Sequence, residues 1–139
     1  MITINYHTDS EIGKDQTKLL KKWIGSSIFR ENRIVGEVNY IICNDERLLE
    51  INQQFLNHDT YTDIITFPTS QITQIISGEI YVSISRIIEN ATLNNVSVFD
   101  EFCRVFIHGV LHLIGYNDHT PAEKKEMRAK EDYYLTLRP

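Results

Sequence analysis

At 139 residues, with 42% hydrophobic and 24% charged residues but only six glycines and three prolines, the chain has the composition of a single globular domain spanning 1–139. Such a length buries roughly two-thirds of the unfolded surface, so a core needs neither a disulfide nor a structural metal. No apolar run approaches the roughly 20 residues that cross a bilayer, and a formal net charge of −5 opposes non-specific attraction to a polyanion.

From the start, Ile2 to His7 alternates apolar and polar residues and predicts a strand. Leu19, Leu20, Trp23, Ile24 and Ile28 then recur at helical spacing. Glu37 to Cys43 is rich in β-branched and aromatic residues and predicts a second strand, after which Asn44 or Asp45 caps a helix carrying Leu48, Leu49, Ile51 and Phe55. Thr62 to Pro68 and Gly78 to Ile84 predict two further strands, joined so as to close an antiparallel pair. Ser85 to Asn95 is predicted helical, and a long apolar helix runs from Asp100 through about Ile114. Thr120-Pro121-Ala122-Glu123 opens a last helix, with proline at its first position and glutamate at its third. The expectation is an α/β (α+β) domain: a mixed sheet of about four strands packed with about five helices.

The opening MITINYHTDSE has neither the basic nor the apolar region of an export signal, which predicts a cytoplasmic protein. Cys43 and Cys103 are then expected as buried free thiols. Any binding to RNA needs a local basic patch. The candidates are Lys18, Lys21, Lys22, Arg30 and Arg33 near the start, and Lys124, Lys125, Arg128 and Lys130 near the end. Both runs also suit solvated helix faces.

Three of the five histidines fall within His108 to His119, in an otherwise apolar segment. On a helix, His108 and His112 are separated by about 40° of rotation and about 6 Å of rise, so both imidazoles project from one face and can share an ion. Catalytic zinc sites commonly add a third protein ligand and leave a fourth position for water. Gly115 can end the helix and turn the chain so that Asp118 or His119 supplies that ligand. The metalloprotease pattern H-E-x-x-H is absent, because Gly109 follows the first histidine. A zinc ion here suits hydrolysis of a phosphodiester instead.

HGVLHLIGY, residues 108 to 116, resembles the signature H-G-x-L-H-L-x-G-Y-D-H of the YbeY family, bacterial rRNA maturation factors described as metal-dependent endoribonucleases. NQQFLNHDTYTDIITFP, from Asn52 to Pro68, is similar to that family's N-x-x-Y-R-x-x-D-x-P-T-D-V-L-S-F-P block, and GEIYVSI resembles the strand that follows it. The resemblance implies one zinc ion bound by three side chains. It also implies a role in 16S rRNA 3′-end processing and ribosome quality control, with ribosomal RNA and the ribosome or small-subunit proteins as partners.

Two positions depart from the family pattern. The third histidine's register is held by Asp118, with His119 one residue beyond, and Asp118 is favoured as third ligand because it requires no insertion. Leu56 stands where the family places an arginine facing substrate, so Arg104, one turn before His108, is the first substitute cation. Asp63 matches the family's T-D pair and is a further catalytic candidate. His58 and His7 are expected at the surface. The competing readings are a ribosome-assembly factor with a structural zinc and a hydrolase of a small or peptide substrate.

Overall fold

The fold is seen in a computed structural model that describes residues 1–56 and 62–139. The expectation for His58 lies outside the described residues. Four strands, β1 (Ile2–Tyr6), β2 (Ile34–Cys43), β3 (Ile64–Pro68) and β4 (Ile75–Ser83), form one sheet in the order β1-β2-β4-β3. β1·β2 and β2·β4 are parallel, and β3·β4 is the expected antiparallel pair. Pro68 ends β3 on the sheet edge, where its missing N–H costs no ladder bond.

Five α-helices follow the predicted order: α1 (Thr17–Arg30), α2 (Asp45–Leu56), α3 (Ile84–Leu93), α4 (Val98–Ile114) and α5 (Pro121–Leu135). Strand alternation divides their packing between the two faces of the sheet. Val38, Tyr40 and Ile42 of β2, with Ile80 and Val82 of β4, face α1 and α4 and form the main core. Cys43, Ile65, Phe67 and Tyr81 face the other way, against Leu48 and Ile51 of α2. Both cysteines are free and buried.

Several element boundaries and apolar positions differ from the sequence expectation. β2 and β4 begin three residues earlier than predicted, at Ile34 and Ile75, because they pair with each other there beyond a register shift. Of the two expected cap candidates, Asn44 is the one that caps α2, its Oδ1 accepting from the Arg47 amide at 3.1 Å. α4 starts at Val98, since Ser97 caps it through the Asp100 amide at 3.0 Å. Leu19 and Phe55, expected on buried faces, are exposed. They sit at the margins of their apolar stripes, where Phe55 meets the sheet only through an edge contact with Phe67.

α4 is pressed closely onto the sheet. The Tyr40 hydroxyl donates to the Phe106 carbonyl at 2.7 Å, and the two rings stack with centroids 4.1 Å apart. Glycines on both partners permit the approach. A Cβ on Gly109 of α4 would lie 2.8 Å from Ile64, and one on Gly78 of β4 would lie 2.7 Å from the Phe67 carbonyl and 2.8 Å from Leu113. The Gly78 clash involves backbone on one side and cannot be relieved by a rotamer. Gly78→Ala is therefore expected to lower the free energy of unfolding by about 1–3 kcal/mol, read as a reduced midpoint in urea. An unchanged midpoint would show that α4 has room to move.

Candidate metal centre

His108 and His112 lie on the face of α4 turned away from the sheet, toward α5. Their Nε2 atoms are 2.9 Å apart, with the rings crossed at 80°. α4 ends at Gly115, whose φ of 124° is open to glycine at little cost. The Gly115 amide returns to the His112 and Leu111 carbonyls at 3.1 Å, and the Tyr116 amide to Leu111 at 3.0 Å, as in a Schellman stop. The turn that follows brings Asp118 Oδ2 to 3.5 Å from both Nε2 atoms.

Asp118 is free to point inward because Thr120 caps α5. Thr120 and Glu123 form a complete capping box, each side chain paired with the other residue's amide. Tyr116 anchors the middle of the same loop, its hydroxyl donating to Glu31 Oε1 at 2.6 Å at the end of α1. Glu31 also receives Lys130 at 3.1 Å and the Tyr134 hydroxyl. Burial alone would raise its pKa, but these hydrogen bonds outweigh it and hold the carboxyl below its ordinary value. His119 is exposed and stands outside the cluster.

Tetrahedral zinc with bonds near 2.0–2.1 Å holds its ligand atoms roughly 3.3 Å apart. The separations of 2.9, 3.5 and 3.5 Å bracket that spacing, and two imidazoles with one carboxylate are an accepted zinc donor set. Among the described residues, His108, His112 and Asp118 are the group that can hold a metal ion.

Glu131, on α5, has a role that the sequence reading missed. Its Oε2 accepts from His108 Nδ1 at 2.7 Å, which fixes the tautomer and leaves Nε2 free to ligate. Its Oε1 accepts from Arg104 Nη1 at 2.7 Å, while Arg104 Nη2 donates to Asp132 at 2.7 Å. Burial of Glu131 would raise its pKa, but His108 and Arg104 together hold it below the ordinary value. The one available signal was a charge within the buried stripe Met127, Glu131, Tyr134 of α5.

The two ring systems are shifted in opposite directions. Burial would depress the His108 pKa, yet Glu131, Asp118 and Asp63 hold it above 6.5; burial and the neighbouring His108 push His112 below that value. Asp63 is raised by burial, against the pull of His108. It lines a cavity of ≈ 330 Å³ whose walls also include Arg104, His108, Asp118 and Glu131. Leu56 is exposed at the end of α2 and does not line this cavity, and His7 is at the surface as expected. No helix among the described residues is long and apolar enough to cross a membrane.

The family model "Endoribonuclease YbeY" matches residues 3–137. The chain is 50% identical to the endoribonuclease YbeY of Flavobacterium psychrophilum, over 99% of this chain and 96% of that protein. It is 45% identical to the protein of the same name from Cytophaga hutchinsonii, over 96% of this chain and 93% of that one. A solution structure of a protein from Thermotoga maritima superposes with a TM-score of 0.70 at 34% identity, covering 97% of this chain and 87% of the other.

The geometry separates the two candidates for third ligand. Asp118→Ala is expected to weaken zinc binding at least about tenfold, and Glu131→Gln by about 10–100-fold through loss of the ring-orienting bond. His119→Ala should leave it within about twofold, since an exposed side chain outside the donor set contributes no bond to the ion. Competition against a chromophoric chelator measures all three. Equal losses for Asp118→Ala and His119→Ala would count against this ligand set.

Proposed function

The chain belongs to the YbeY family of endoribonucleases, and from that membership we propose that it is a zinc-dependent nuclease cleaving single-stranded ribosomal RNA. The proposed setting is maturation of the 16S rRNA 3′ end and ribosome quality control in the cytoplasm, with the ribosome or small-subunit proteins as partners. One observation carries the catalytic reading. The three donor side chains retain 21%, 23% and 37% exposure, so the ion they would hold opens on a cavity instead of being sealed in the core.

His108, His112 and Asp118 would hold the ion. When bound there, zinc supplies Lewis acidity to a phosphoryl oxygen and lowers the pKa of water. Glu131 keeps His108 in the ligating tautomer, and Arg104 keeps Glu131 ionised and in place. Asp63, on the wall of the same cavity, is the proposed acceptor of the proton released as water attacks phosphorus; the P–O bond to the leaving ribose oxygen breaks, and that oxygen takes a proton from solvent. Arg104 adds positive charge to that wall, but both of its terminal nitrogens are engaged by carboxylates, so its main proposed role is to position Glu131.

Removal of zinc by a chelator, or His112→Ala, is expected to abolish cleavage of a single-stranded rRNA fragment while circular dichroism still reports a folded domain. If cleavage persists under both conditions, the metal-dependent reading fails. If His112→Ala unfolds the domain, the zinc is structural and the assembly-factor reading gains.

A further inference from the structure

Two cavities meet beside the metal centre. The one that exposes His108 and Asp118 shares Asn94, Glu101, Arg104 and Arg128 with a larger groove of ≈ 740 Å³ between α4 and α5, which runs on to Asp132 and Arg138. An RNA strand leaving the site along this groove must pass Arg128, which lines both cavities. Most cations in that region are already neutralised. Arg104 is held by Glu131 and Asp132, Arg138 by Asp100 at 2.9 Å, and Lys130 by Glu31.

Lys124 and Arg128 differ from these. They are four residues apart on α5, so their side chains share one helix face, and both line the metal-site cavity. Lys124 is exposed. The Arg128 side chain is 61% exposed, and Glu131 Oε1 lies 3.6 Å away, where Arg104 already occupies that oxygen at 2.7 Å. Lys125 of the same run lines neither cavity, and none of Lys18, Lys21, Lys22, Arg30 and Arg33 does so either.

We infer that Lys124 and Arg128 bind backbone phosphates flanking the scissile bond, with Arg128 at the junction directing the strand into the α4–α5 groove. This rests on the nuclease reading above and assigns the substrate contacts of that same site. In a chain of net charge −5, phosphate recognition must come from a local pair of this kind.

The test is cleavage of a single-stranded RNA oligonucleotide by zinc-loaded protein, with KM and kcat followed between about 50 and 200 mM salt. Each single-strand phosphate contact adds about 0.7 to the slope of log affinity against log salt. The double variant Lys124→Gln/Arg128→Gln is expected to lose about 1.4 of that slope and to raise KM at least about tenfold at the low-salt end. Its kcat should stay within about twofold and its zinc content unchanged, since neither side chain is a ligand. Arg128→Lys in place of Arg128→Gln should restore about half of the lost slope, about 0.7, since one of the two charges returns. The charge-matched control Lys14→Gln/Arg47→Gln, remote from both cavities, should keep the wild-type slope. A double variant whose KM and slope match the control overturns the inference while wild-type cleavage leaves the nuclease reading standing; absence of cleavage by wild type overturns both.

Discussion

The hydrogen bond between His108 Nδ1 and Glu131 Oε2, 2.7 Å long, is the interaction on which the site depends. It joins the helix that carries both histidines to the helix that closes the cavity. It also decides which ring nitrogen carries a proton and so which one is left for an ion. Glu131 stays ionised there against its burial because His108 and Arg104 each hold one of its oxygens. Removing Arg104 would leave a buried carboxylate with the His108 imidazole and the more distant Arg128 guanidinium, 3.6 Å away, a costly arrangement in a poorly solvated place.

That helix pair can form only because α4 is fixed on its other side. Gly109, Gly78 and the Tyr40–Phe106 contact hold it against the sheet, so the free face, with His108 and His112, has one possible direction. The loop after α4 is similarly constrained. A glycine stop begins it, a capping box ends it, and Tyr116 is held to Glu31 between them. Asp118 is thereby left as the residue of the loop turned toward the histidines. The side chains that could hold a metal ion thus come from one helix and one short loop, while Glu131, which orients His108, comes from a third element.

Local parts of this arrangement were legible in the sequence. The four-residue spacing of His108 and His112, the stop at Gly115 and the capping pattern at Thr120 depend only on neighbours along the chain, and each appears where expected. The mixed sheet was legible for the same reason, from alternation and turn residues. Glu131 was not, because its partner lies 23 residues away and is met only through helix–helix packing. Leu19 and Phe55 illustrate the converse limit: helical periodicity marks an apolar stripe but not where its margin emerges into solvent. Arg104, offered by the sequence as a substitute cation, has its terminal nitrogens on carboxylates of α5 that sequence spacing could not reveal.

The proposed donor set is two imidazoles and one carboxylate, with a fourth position open to solvent. X-ray absorption at the zinc edge, on protein loaded with one equivalent of zinc, reads that donor set directly. Scattering from two imidazoles and two light oxygen donors, one of which exchanges with an added anion, is the expected result. Three imidazoles, or four protein donors with no exchangeable position, would contradict it.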